Sequence, residues 1–521
     1  MKREELKTKL GNIEEIQEFA NSVLEKNDSS RRNRFETMLV IEAIYNDMID
    51  QGVDPETEVE IFASQTFGEI KLIMGYDGKL FTPNPDGEAS VNNLVMKGYG
   101  DKIDYRYHSG RNTISITIKR KYIKSFTMCF LGTLLAFIAY VPMKLFMSPE
   151  SLAFLSDQII MPVEKMFINA VLMIGAPVTF FSLLRNITDA YIVSESSSGM
   201  RYIQRKTIQT SIVAIFLAVL TGFAIIATAG NLHRFVSGIS EMGLHKSIGE
   251  IIESLVPTNI FAPFEEIMPF PLILFALMTA YAFCSVGQYF DTLKKATDVC
   301  YTLFSKMLTA IIYTLPFFAF LAGLDILLGD GLLGMLDIIL IAVIVLLSLS
   351  VMALYYIIRL KVSGVDVKEF IKNMKPILRE NLLINSAIDA VPFNVRYCAR
   401  KFGLDRKKLE ASLSTLAQLN LDGNCFLIML VTLIYIFAVG ATVSWLNLIA
   451  IGALVLFLSL GAPNQPGSVL IGFLIIANYL KAYDILAVAI YSEVFFGSLL
   501  NLVNVTGDIV TVVVEDDRLK A

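Results

Sequence analysis

The sequence predicts an α-helical polytopic membrane protein preceded by a small α+β cytoplasmic domain. Three observations carry that expectation. Apolar residues make up 54% of the 521 and charged residues only 18%, with a mean hydropathy of +0.58, too apolar for an ordinary soluble enzyme. Charge is dense before Tyr122 and sparse after it. From Ser125 onward, apolar runs of the roughly 20 residues that a bilayer crossing needs recur along the chain.

Spans are expected near 125–147, 161–184, 207–230, 268–288, 300–326 and 333–358. Between Met374 and Asp517 the pattern changes. Apolar segments there are interrupted at Asn385-Ser386 to Pro392, Asn420 to Asn424, Ala462 to Gly467 and Asn504 to Asp508. Broken helices at membrane depth survive only where protein buries them or they line a wet cavity, and paired interruptions point to a transporter's binding site. Kinked structural helices are the plainer alternative. Lys119, Arg120, Lys121 and Lys124 precede the first span, and Arg185, Arg201, Arg205 and Lys206 follow the second. Lys294 and Lys295 follow the fourth, and Arg359, Lys361, Lys368, Lys372, Lys375 and Arg379 follow the sixth, whereas loops of opposite parity are poor in both. This bias places the N-terminus in the cytoplasm, with a multi-pass body in the inner (plasma) membrane.

Composition also argues against several functions. The net charge of -5 gives no hint of a nucleic-acid partner. Cys129, Cys284, Cys300, Cys398 and Cys425 are odd in number and scattered, unlike a disulfide framework or zinc site. The three histidines, His108, His233 and His245, stand apart. No Walker loop supports a primary ATP-driven pump, and the charged segment Met1 to Arg34 does not read as a signal peptide.

Intramembrane carboxylates are expensive and usually functional. Asp422 and Asp508 are each expected in a short Asn/Gly-containing break, where freed carbonyls, a carboxylate and an Asn carbonyl give a small cation a hard oxygen shell. Capping of helix ends is the alternative reading of these residues.

Asn420-Leu-Asp-Gly-Asn424 resembles the Asn-Met-Asp-Gly-Thr signature of the glutamate/aspartate and dicarboxylate:cation symporters, and Asn504-Val-Thr-Gly-Asp508 is similar to their last-span motif. Ala462-Pro-Asn-Gln-Pro-Gly467 resembles the tip of their second re-entrant hairpin, and Asn385-Ser-Ala-Ile-Asp-Ala-Val-Pro392 stands in place of the serine-rich first. Val256-Pro-Thr-Asn-Ile-Phe261 resembles a further landmark. The resemblance implies eight spans plus two re-entrant hairpins, glutamate-transporter-like, with 121–365 as scaffold and 366–515 as transport core moving in an elevator manner. It implies a homotrimer and sodium-coupled uptake of a dicarboxylate or amino acid. It also implies sodium sites at Asn420, Asp422, Asn504 and Asp508, with Ser459 and carbonyls of the second hairpin contributing to another.

Glu493, Gly497, Leu500, Asn504 and Asp508 share one helical face by their spacing. Here the chain departs from the family. Amino-acid transporters of this type carry Asp at position 497 for the substrate amine, and acidic-substrate members carry Arg at position 500 for a carboxylate. The triple serine is reduced to Ser386-Ala387-Ile388. Substrate contacts are therefore expected from Asn385, Ser386 and Asp389 at the first tip, and from Asn464, Gly467, Asn424, Asn501 and Asn504. Glu493 is a coupling candidate for sodium or a proton, or an ordinary buried carboxylate. Arg396 reads as structural.

Residues 1–120 read as a compact α+β domain, with a helix over Arg32–Gln51 and strands at Thr57–Ala63, Glu69–Gly75, Ile103–His108 and Thr113–Lys119. Turns are expected at Tyr76-Asp-Gly78 and Ser109-Gly-Arg-Asn112. The domain resembles histidine-kinase-like ATPases of the anti-sigma-factor kinase type. Val40-Ile-Glu-Ala-Ile-Tyr-Asn46 looks like their Glu-x-x-x-Asn helix, Tyr76-Asp-Gly-Lys-Leu-Phe-Thr-Pro83 like the adenine-reading loop, and Gly110-Arg-Asn112 like a closing hairpin. The resemblance implies ATP and magnesium at Glu42, Asn46, Asp77 and Gly78. Tyr76 stands where Asp should accept the adenine amine, and the Gly-rich lid shrinks to Lys97-Gly-Tyr-Gly100. Weak nucleotide binding or none is expected, and no enzymatic activity. The rival function is a membrane solute sensor signalling through this domain to a cytoplasmic regulatory protein.

Overall fold

The computed structural model describes residues 4–26, 31–66, 69–81, 103–119, 123–196, 198–229, 248–329, 331–384, 387–438, 443–463, 467–480 and 486–519. They fall into two compact units, Met1–Tyr122 and Ile123–Ala521.

The first unit consists of β1 (Glu4–Lys9), α1 (Ile13–Lys26), α2 (Arg31–Asp50), β2 (Glu58–Thr66), β3 (Glu69–Asp77), β4 (Ile103–His108) and β5 (Arg111–Lys119). Its strands form one antiparallel sheet in the order β1-β2-β3-β5-β4. Side chains alternate along each strand. Ile61, Leu72 and Ile114 are thereby buried in one core with Leu24, Ile44 and Met48 of the two helices, while Glu60 and Lys71 stay partly exposed. β4 and β5 are joined through Ser109 and Gly110, both at positive φ, as a two-residue hairpin loop requires. Tyr76 and Asp77, expected in a turn, instead complete β3, because they pair with Asn112 and Arg111 of β5. The lid segment Lys97–Gly100 lies outside the described residues.

The second unit begins with α3 (Ile123–Phe146) and α4 (Pro149–Leu155), which passes through a π-helical turn at Ser156–Ile160 into α5 (Met161–Ser196). There follow α6 (Ser198–Ala229), α7 (Ile248–Glu253), α8 (Ala262–Glu265), α9 (Pro269–Ser285), α10 (Phe290–Ile312), α11 (Leu315–Gly329) and α12 (Gly331–Val362). The last third holds α13 (Val367–Ile384), α14 (Ala387–Phe402), α15 (Arg406–Leu419), α16 (Asp422–Ala438), α17 (Trp445–Leu460), α18 (Ser468–Leu480) and α19 (Leu486–Leu519). Among the described residues five helices are long and apolar enough to cross a bilayer, or seven if each of two bent pairs is one span. Leu145, Phe146, Leu333 and Leu347 expose most of their side chains, as lipid-facing residues do. Every residue from Asn420 to Ile436 is buried, so α16, apolar on all sides, occupies the centre.

Two expectations are corrected. The single span expected at 300–326 is split, since α10 ends at Ile312 and α11 starts at Leu315 with Pro316 in its first turn. Proline has no amide to donate and crowds the carbonyl four residues back, so one helix does not run through. The break expected at Asn504–Asp508 is absent as well. Helix α19 continues through it, and bends by 55° between Gly497 and Leu499 instead.

Lys7 and Arg111 both donate to the Glu60 carboxylate, and these bonds hold it below its ordinary value of 4.5. A carboxyl depressed in the folded state adds stability above its unfolded value, and that stability is lost as pH falls through the folded one. Residues 1–122 alone are expected to unfold cooperatively by circular dichroism, with Glu60→Gln flattening the stability loss between about pH 5 and 3. An acid limb identical to that of the unsubstituted domain contradicts this.

Candidate cation site

The break between α15 and α16 creates the site. Asn420 leaves helical geometry at φ −95° and ψ 82°, and α16 starts afresh at Asp422. Asn420 Nδ2 donates to Asp508 Oδ1 at 2.8 Å, and its Oδ1 accepts from Thr210 Oγ1 of α6 at 3.0 Å. Asp422 accepts from Ser211 Oγ at 3.2 Å and from Tyr356 Oη of α12 at 3.3 Å. On the next turn, Gly423 N donates to Asn504 Oδ1 at 2.8 Å, and Asn504 Nδ2 to Asn424 Oδ1 at 3.3 Å. Asn420, Asp422, Asn424, Asn504 and Asp508 are all buried. The structure thus brings together all four main cation candidates, with Asn424 beside them.

Two glycines allow this approach. A Cβ on Gly423 would lie 2.9 Å from Asn504 Oδ1 and 3.1 Å from the Leu500 carbonyl. A Cβ on Gly507 would lie 2.7 Å from Tyr356 Oη and 3.1 Å from Asp422 Oδ2. Gly507 therefore does not break α19. It lets polar groups of α12, α15 and α16 press against the backbone of a continuous helix.

Ser459, near the end of α17, is buried with the Cys425 thiol as its neighbour. Cys425, one turn beyond Asp422, faces both Ser459 and Ser211. The nearby guanidinium of Arg359 donates to Thr511 Oγ1 at 3.2 Å. Among the described residues no three His, Cys, Asp or Glu side chains gather as a metal cage. The donor set is two carboxylates with amide and hydroxyl oxygens, which suits a small hard cation rather than a soft one. The buried Ser459 hydroxyl adds one more oxygen of the same kind.

The remaining candidates spread over neighbouring elements. Asn501 donates to the Asn381 carbonyl at 3.2 Å, and Asn381 and Asn394 exchange side-chain hydrogen bonds between α13 and α14. Leu500 is buried. Glu493 accepts from the amides of Gly467 and Leu470 and takes no part in the Asn420 cluster. Asn385, Ser386 and Asn464 lie outside the described residues, as does the side chain of Asp389. Thr210, Ser211, Tyr356, Asn381 and Asn394 were not singled out from the sequence. Their one signal there is polarity: an adjacent Thr-Ser pair in a predicted span, and lone amides on a basic helix.

In the first unit, Glu42 is exposed on α2 with Asn46 half-buried. Asp77 is exposed and pairs with Arg111, and Gly78 N donates to the Gly110 carbonyl. Tyr76 is buried with its hydroxyl unpartnered, and burial pushes that phenol up from its ordinary value. Asn112 accepts from Phe81 N and Tyr105 Oη and donates to the Lys79 carbonyl, while Phe81 packs edge-on against Tyr105. The loop that would read adenine is thus filled by its own side chains.

A family model described as the Sodium:dicarboxylate symporter family matches residues 122–517. No curated protein matches the chain.

Gly507→Ala is expected to lower the thermal stability of the purified full-length protein by about 1–3 kcal/mol, the usual result of overpacking. Tyr356→Phe, which removes the closest atom, should recover part of that loss. Gly507→Ala tolerated without any loss contradicts the close approach.

Proposed function

The chain belongs to the sodium:dicarboxylate symporter family, and from that premise we propose that it couples entry of a small organic solute to sodium. Asn420, Asp422, Asn504 and Asp508 hold the cation, with Thr210, Ser211 and Tyr356 orienting them and Ser459 contributing to a second position. The single observation that carries this reading is the burial of Asp422 and Asp508 in one polar cluster, Asp508 held by Asn420 and Asp422 by Ser211 and Tyr356. Two carboxylates in a low-dielectric interior need compensation, and a small cation supplies it. Assembly as a homotrimer in the inner membrane with a cytoplasmic N-terminus belongs to the same proposal and draws on the Lys/Arg bias of the loops.

The solute is less acidic than the family norm. Leu500 cannot pair with a carboxylate, and Gly497 cannot hold an amine. Among the described residues, the carboxamides of Asn381, Asn394 and Asn501 meet between α13, α14 and α19; they carry no charge and both donate and accept. An acidic amino acid there would be desolvated without partners. Asn385, Ser386, Asp389, Asn464, Gly467, Asn424 and Asn501 remain the proposed contacts for a neutral or amine-bearing solute. The first unit is read as a nucleotide-fold descendant that binds ATP weakly or not at all, in keeping with Tyr76 and Phe81 filling their own loop. The sensor alternative gains no support from the comparisons.

Sodium should stabilise the purified protein over potassium in a thermal-shift measurement, by about 2.7 kcal/mol at a hundred times the Kd. Asp422→Asn and Asp508→Asn should each remove most of that effect. Equal shifts with sodium and potassium would exclude the cation assignment.

Neutral and amine-bearing solutes are expected to add to the sodium shift in a screen that also includes aspartate, glutamate and succinate, which are expected to be inert. Micromolar binding of aspartate or succinate would restore the acidic-substrate reading of the family.

A further inference from the structure

Glu493 is a buried carboxylate that the cation cluster does not use. It lies on α19 and accepts from two backbone amides at the start of another element, with the amide of Val469 beside them. Oε1 accepts from Gly467 N at 2.9 Å and Oε2 from Leu470 N at 3.3 Å. These amides open α18, where the first N–H groups have no partner within the helix. A carboxylate from a neighbouring helix satisfies them and sits favourably at the positive end of the dipole. Gly467 itself is at φ +96°, and a Cβ there would meet Ile312 of α10 at 2.7 Å. The start of α18 is therefore held from two sides.

Gly497 completes the arrangement. It stands four residues after Glu493 on the same face, and a Cβ on it would lie 3.0 Å from Glu493 Oε1. A Cβ there would push the carboxylate from its present seat by a few tenths of an ångström, and α19 bends immediately beyond it.

We propose that Glu493, seated over Gly497, is a positioning residue that latches the start of α18 onto α19. The latch fixes the α17–α18 pair, and with it Ser459 at the end of α17. It stands on geometry alone, and only its consequence for transport rests on the symporter reading. When the latch is released, the start of α18 loosens from α19.

Hydrogen–deuterium exchange on the full-length protein, read by mass spectrometry over residues 467–480, tests this without any ligand. Glu493→Gln places an amide donor against one of the two backbone donors, and Gly497→Ala crowds the carboxylate from its seat. Each should speed exchange at the start of α18 roughly ten- to hundredfold, the equivalent of losing hydrogen bonds to a charged acceptor. The double variant should exchange no faster than either alone, because both remove one interaction. Peptides from α5 and α16 should be unchanged in all three. Unaltered exchange over 467–480, an equal rise across α5 and α16, or additive effects in the double variant would each overturn the latch. If Glu493→Gln does not give folded protein, Gly497→Ala and Glu493→Asp carry the same test. A protein indifferent to sodium in thermal shift leaves this exchange result standing, so the two readings fail separately.

Discussion

The hydrogen bond from Asn420 to Asp508 joins the break between α15 and α16 to the unbroken α19, and hydroxyls from α6 and α12 close on the same polar group. Around it lies a bundle with a large apolar core. An unpaired polar group there costs roughly several kcal/mol, so each member of the cluster constrains where the others stand. A helix that ended without Asn420, or approached without Gly423 and Gly507, would leave two buried carboxylates without these contacts. Five helices meet at this cluster, and apolar packing fills the space between them.

The two units answer to different constraints. In Met1–Tyr122 a sheet with alternating side chains buries one face under α1 and α2, and its charged pairs, such as Lys7 with Glu60, remain near solvent. In Ile123–Ala521 the core is apolar too, but the surface differs. Large apolar side chains stand outside, while Asn, Asp, Ser and Thr gather at the centre. In the first unit, the buried Asn112 organises a loop that its own Tyr76 and Phe81 fill.

Much of this was legible in the sequence, for physical reasons. Asn420 to Asn424 and Asn504 to Asp508 announced themselves because carboxylates and carboxamides are rare in apolar runs, and the structure brings both strings to one place. What the second string does locally was not legible. A Gly within a polar cluster reads equally as a helix breaker or as a point of close approach, and Gly507 is the latter because Tyr356 and Asp422 fill the space its side chain would take. Nor did the sequence disclose Thr210 and Ser211, since hydroxyls are common in membrane helices, where they bond to their own backbone carbonyls. The short β1 was obscured by its charge: Glu5, Lys7 and Lys9 alternate with Leu6 and Thr8 at the sheet edge. Proline at 316 was visible, yet apolar residues on both sides made 300–326 look like one span.

Equilibrium sodium binding to the purified full-length protein, followed calorimetrically in potassium buffer, tests the central claim most directly. The account predicts a saturable, sodium-specific heat that is abolished by Asp508→Asn and sharply weakened by Asn420→Ala, because both residues belong to one site despite lying 88 positions apart. Sodium heat that survives Asp508→Asn unchanged would contradict it, and would place the cation elsewhere in the bundle.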